Sequence, residues 1–72
     1  MVSLVPPIIH SFLSEHDLVL SFVRSGDLVR SREAYARLSG VYQDILSSDV
    51  DDVHKAVAYE EVLSARKALL SL

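Results

Sequence analysis

The chain has no cysteine, tryptophan, asparagine or threonine among its 72 residues. Without cysteine it can form neither a disulfide nor a thiolate metal site. Glycine occurs only at positions 26 and 40, and proline only at 6 and 7. The sequence therefore lacks the turn-forming residues that usually separate the strands of a β-fold. A single Gln43, and more arginine than lysine, complete a composition poor in thermolabile residues that is typical of thermophile proteins.

The chain also lacks a run of basic residues and a long apolar run. Seven Lys and Arg against ten Asp and Glu give a net charge of −3, which disfavours binding to the phosphates of nucleic acid or of anionic membranes. Charged residues such as Asp17 and Arg24 interrupt each candidate membrane span, and residues 1–9 lack the basic flank of a signal peptide. We therefore expect a cytoplasmic protein without a membrane span.

Half of the residues are hydrophobic, which is enough for the chain to fold. A chain of this length buries about 60% of the surface that its unfolded form exposes, and its core supplies roughly 3–5 kcal/mol. We expect one helical domain over residues 1–72, stabilised further by self-association or by a bound partner.

Apolar residues recur at helical spacing in three segments, which predict helices over about 7–24, 28–47 and 50–71. Pro7 suits the first turn of a helix, where its missing N–H costs nothing. Gly26 can adopt the positive φ that often ends a helix. Because short connections make neighbouring helices antiparallel, we predict an all-α, up-down-up three-helix bundle, either monomeric or dimeric.

The first helix has more apolar residues than one core stripe requires. A helix of a bundle needs an apolar stripe about 100° wide. The first helix exceeds this with Ile8, Ile9, Phe12, Leu13, Leu18, Val19, Leu20, Phe22 and Val23. The surplus predicts a partner-binding face that includes Phe12 and Phe22, with a wide core stripe as the alternative. Gly40, inside the second helix, predicts a close crossing of another backbone.

The chain shows no arrangement of residues that is typical of catalysis or metal binding. No cysteine nucleophile, Gly-x-Ser-x-Gly elbow or His-Glu-x-x-His pair occurs. His10 and His16 are six residues apart and should be ordinary histidines on different helix faces, while His54 should lie beside acids at a solvated helix N-terminus. We expect no enzyme activity, no metal site and no cofactor.

Residues 31–41 resemble a helix-turn-helix, a motif of DNA-binding proteins. The segment that follows would present carboxylates to the phosphate backbone, which repels them. These carboxylates belong to Asp44, Asp49, Asp51 and Asp52. We therefore expect no nucleic-acid partner, and a DNA-associated regulator is the least favoured of the functions considered.

Charge is distributed unevenly along the chain. Arginines cluster over residues 24–37, whereas acids concentrate over 44–52 and at Glu60 and Glu61. Such polarity can orient an acidic partner or a second copy of the chain, although scattered solvated charge would look the same in sequence.

The residues from Gly26 onward resemble the second helix of MIT domains, a family of three-helix modules. The pattern Gly-Asp-Leu-x-x-Ser-x-x-x-Tyr-x-x-Leu-x-x-x-Tyr is formed by Gly26, Leu28, Ser31, Tyr35, Leu38 and Tyr42. Tetratricopeptide helices share much of this pattern. Leu28 replaces the usual aromatic residue of the family, and the first helix is bulkier than the family's alanine-rich one.

MIT domains bind short helical or extended motifs of ESCRT-III-type proteins in grooves beside their third helix. The resemblance implies a groove between the second and third helices, lined by Tyr42, Ile45, Val57, Val62 and Leu69. We predict a non-enzymatic protein-interaction module that binds a helical or extended segment of a partner in an inter-helical groove. The alternative is a self-assembling homodimeric structural protein that pairs through its first helix.

Overall fold

A computed structural model describes residues 6–72 as three α-helices joined by short turns. Helix α1 spans Pro7–Arg24, α2 spans Leu28–Leu46 and α3 spans Asp52–Leu70. Because both connections are short, successive helices are antiparallel, and the predicted all-α, up-down-up bundle is confirmed. The observed ends differ from the expected ones by at most two residues.

A glycine turn joins α1 to α2. Gly26 has a φ of +75° and donates its N–H to the carbonyl of Val23 at 3.0 Å, while Asp27 donates to Phe22 at 3.0 Å. These two bonds form a Schellman motif, which satisfies carbonyls at the end of α1. The Asp27 carboxylate then accepts the backbone N–H of Arg30 at 3.0 Å and caps α2.

Helix α3 begins at Asp52 rather than at residue 50 because Asp51 acts as its cap. The Asp51 Oδ1 accepts the backbone N–H of His54 at 2.9 Å. Val50 precedes the cap and packs against the core, while its N–H donates to the Ser48 hydroxyl at 3.3 Å. Contacts of Val50 before Asp51, and of His54 after it, thus hold the start of α3 in place.

The core is formed mainly by α1 and α2. Its largest fully buried apolar side chains are Phe12 and Val19 of α1 and Leu38 and Ile45 of α2. Two predicted partner-binding residues, Phe12 and Ile45, are therefore corrected to core residues. Both lie on the inner stripe of their helix, where the neighbouring helices cover them.

Gly40 lies on the exposed side of α2, which corrects the prediction of a close helix crossing. A Cβ added at Gly40 would meet no atom within 4 Å apart from the helix's own backbone. Within the bundle, no neighbouring backbone requires a glycine at this position.

Among the helices of residues 6–72, none combines the length and the hydropathy needed to cross a membrane.

Candidate partner-binding surface

Helix α3 turns two alanines inward and most of its large apolar residues outward. Its fully buried side chains are those of Ala58 and Ala65. Its exposed large apolar residues are Val53, Val57, Tyr59, Leu63 and Leu70, of which Leu70 is 75% exposed. Exposed apolar side chains of this number on one helix of a small domain make α3 the candidate for an interaction surface.

The exposed residues of α3 lie on two flanks of the helix. Successive residues advance by about 100°, so Tyr59, Leu63 and Leu70, four and seven positions apart, share one flank. Val53 and Val57 lie on the other. Tyr59 identifies the flank that borders α2, because its ring centroid lies 6.5 Å from that of Tyr42.

Helix α2 presents a matching row of residues toward α3. Leu28, Tyr35 and Tyr42 are spaced by seven residues and therefore share a flank, and Leu46 follows one turn after Tyr42. Leu28 and Leu46 are exposed, while Tyr35 and Tyr42 are half-buried against the core. We call the combined surface the α2–α3 strip; it consists of Leu28, Tyr35, Tyr42, Leu46, Tyr59, Leu63 and Leu70.

The two ends of the α2–α3 strip carry opposite charges. Arg32, Arg66 and Lys67 lie within or beside the strip at the end where α2 begins and α3 finishes. Asp49, Asp51 and Asp52 lie at the other end, in the turn between α2 and α3 and the first residue of α3. Each end also carries a charge of the other sign: Asp27 caps α2 at the basic end and pairs with Arg30 at 3.6 Å, and the half-buried Lys55 lies one turn after Asp52 at the acidic end. Basic and acidic residues nevertheless remain in excess at their own ends.

One of the acids at the turn has a perturbed pKa. The backbone N–H of His54, and secondly its ring, hold the pKa of Asp51 below its ordinary value of 3.8. The ring Nδ1 of His54 lies 2.6 Å from the Asp51 Oδ1. Because hydrogen bonds to a carboxylate favour its charged form, the negative charge at this end of the strip persists into acidic solution.

The opposite flank of α3 contacts α1 through a buried histidine. His16 was expected on an ordinary helix face, but it is buried, and its Nε2 lies 3.0 Å from Oε2 of Glu61. These atoms are not aligned for a hydrogen bond, so the two polar groups lie close together without forming one. The spacing of His16 from Phe12 and Val19 places it on the core stripe of α1, a signal that the sequence contained.

An ion pair joins α1 to α2 on the side away from α3. Arg37 Nε donates to both carboxylate oxygens of Glu15, at 2.9 and 3.3 Å. Glu15 is half-buried and Arg37 is exposed, so the pair closes the edge of the α1–α2 interface.

Apart from Phe12 and Ile45, which lie in the core, the predicted partner-binding residues occupy three settings. Tyr42 lies in the α2–α3 strip, and Val62 lies half-buried beside it. Phe22 packs against the core and Leu69 is half-buried, whereas Val57 is exposed on the far flank of α3. The prediction missed Leu63 and Leu70, since helical spacing identifies an apolar face without showing which apolar face points inward.

Residues 6–72 contain no cluster of three or more metal-ligating side chains and enclose no pocket. No protein-family model, curated protein or solved structure matches the chain.

Proposed function

We propose that this protein is a non-enzymatic protein-interaction module that receives a helical surface of its partner on the α2–α3 strip. The observation that carries the proposal is the outward placement of Tyr59, Leu63 and Leu70, beside the half-buried tyrosines of α2. A partner helix seated there would cover these residues with its own apolar side, as helix-in-groove recognition does.

The charges at the two ends of the strip would let the protein bind its partner in one orientation. Apolar residues run along its length, and charges stand at its ends, so burial supplies affinity while charge fixes orientation. Location in the cytoplasm, an origin in a thermophile and membership of a family such as the MIT domains stay predictions of the sequence.

Two matched leucine variants test the proposal. Leu63 lies in the strip and Leu18 lies on α1 outside it, yet they are similarly exposed, at 42% and 40%. The probe is a displayed library of 18-residue amphipathic helical peptides with leucine fixed along one side and all other positions randomised. We expect dilute wild-type protein and Leu18→Asp to retain the same peptides, and Leu63→Asp to retain at least about tenfold fewer.

Circular dichroism of all three proteins provides the control for folding. Equal retention by folded Leu63→Asp would contradict the strip as the interaction surface. Loss of retention in Leu18→Asp instead of Leu63→Asp would move the surface to α1.

A further inference from the structure

The charges of the α2–α3 strip are complementary to those of the same strip turned end to end. The basic end carries Arg32, Arg66 and Lys67, and the acidic end carries Asp49, Asp51 and Asp52. Two copies related by a two-fold axis across the strip would place each basic end against the acidic end of the other copy. A two-fold axis requires this self-complementarity of a surface.

We propose that the partner on the α2–α3 strip is a second copy of this chain, which packs antiparallel about a two-fold axis through the middle of the strip. This proposal rests on the proposed function, because it names the occupant of the same surface. Leu63 lies near the middle of α3, so the second copy would cover it.

The surface of the molecule is large enough for such a dimer interface. A standard interface buries roughly 800 Å² on each partner, which is about a sixth of the 4942 Å² surface of this chain. The face between α2 and α3 is one of three in the bundle and carries seven apolar residues. Covering it would add to a core in which α3 contributes only two fully buried side chains, Ala58 and Ala65.

The alternative pairing through α1 has less support. Of the surplus apolar residues of α1, Phe12 and Val19 are buried in the monomer, and Phe22 and Val23 pack against its core. The exposed Leu13 and Leu18 lie on different flanks of α1, because five residues correspond to about 140° of rotation. They do not form a continuous face.

The first measurement is light scattering coupled to size exclusion over a hundredfold range of concentration. We expect wild-type protein and Leu18→Asp to dimerise, and Leu63→Asp to remain monomeric and folded at concentrations where wild type is dimeric. A wild-type monomer throughout overturns the second copy as occupant. Retention of peptides on the strip would then leave the proposed function standing with a foreign partner.

A charge-swap experiment tests the antiparallel arrangement of charges. The first variant is Arg32→Glu combined with Lys67→Glu, which makes both ends acidic; the second is Asp49→Lys combined with Asp52→Lys, which makes both ends basic. We expect each variant alone to dimerise at least about tenfold more weakly than wild type, because like charges meet. An equimolar mixture should recover association as a heterodimer.

The cap residue Asp51 is left intact in both variants so that α3 can still start at its native position. Circular dichroism checks that each variant is folded, and labelling one of the two with a fluorophore distinguishes heterodimers from homodimers. Dimerisation that neither variant weakens, or a mixture that associates no better than its components, would overturn the proposed charge pairing.

Discussion

The interface between α1 and α2 and the interfaces of α3 are built from different kinds of residues. Phe12, Val19, Leu38 and Ile45 fill the space between α1 and α2, and the ion pair of Glu15 with Arg37 closes one edge. Helix α3 is held through the buried Ala58 and Ala65 and the half-buried Val62, and it keeps most of its large apolar side chains outside. A helix can thus be amphipathic in sequence and still direct its larger apolar side away from the core of the monomer.

The largest effect should come from creating a cavity in the core between α1 and α2. Leu38 is fully buried, so Leu38→Ala removes its packing and leaves a cavity, which costs about 2–5 kcal/mol. Because a core of this size supplies roughly 3–5 kcal/mol, most of the protein should unfold. Urea denaturation followed by circular dichroism measures the loss.

Leu70→Ala is the matched control on α3, since Leu70 is 75% exposed. We expect it to change the free energy of unfolding by less than about 0.5 kcal/mol when the protein is dilute and monomeric. Equal losses for Leu38→Ala and Leu70→Ala would remove the distinction between the two regions.

A second variant tests whether α3 needs small residues at its contact with the other helices. Ala65 is fully buried, so Ala65→Leu should force α3 outward and lower the free energy of unfolding by about 1–3 kcal/mol. Ala56→Leu makes the same change on the exposed side of α3 and should be nearly neutral. Thermal melts of both variants give the comparison, and a neutral Ala65→Leu would mean that this contact is loosely packed.

The two glycines give effects of opposite sign, both near 1 kcal/mol. Gly26 has a positive φ, so Gly26→Ala strains the turn between α1 and α2 and should destabilise by about 1 kcal/mol. Gly40 has helical geometry and open space around it, so Gly40→Ala should stabilise by about 0.5–1 kcal/mol. Urea midpoints measure both, and destabilisation by Gly40→Ala would restore the predicted close approach.

The smallest effect concerns the start of α3 and depends on pH. The pKa of Asp51 is lower in the folded protein than its ordinary value of 3.8, so its ionised form stabilises the fold above that pH. This contribution is lost as the pH falls through the lowered pKa. We expect urea midpoints of wild type to drop more steeply below about pH 4 than those of Asp51→Asn. Asp52→Asn removes a neighbouring charge as a control, and identical pH profiles for wild type and Asp51→Asn would contradict the role of the carboxylate.

Helical spacing and turn chemistry were enough to predict the fold. The end of α1 follows from Gly26, and the start of α2 follows from Asp27, because both residues act within their own turn. The orientation of α3 could not be predicted in this way. Its alanines and its larger apolar residues occupy different faces, and only packing against α1 and α2 decides which face turns inward.

The candidate surface was predicted only in part for the same reason. Tyr42 was identified from a pattern along α2, and the structure shows it beside Tyr59. Leu63 and Leu70 were missed because the predicted groove followed their neighbours Val62 and Leu69. Phe12 was assigned to a partner because of the apolar surplus of α1, and Ile45 because of the resemblance to MIT domains, yet both are buried in the core.

The short turn at Gly26 has a consequence for the order of folding. Only three residues separate α1 from α2, so their contacts close small loops and cost little chain entropy. We expect the α1–α2 hairpin to form in the transition state. Helix α3 should dock afterwards, because the side chains that it buries fully are only those of two alanines. The helix that docks last would also be the first to detach under force or in native-state hydrogen exchange, and it carries much of the strip through which two chains would meet.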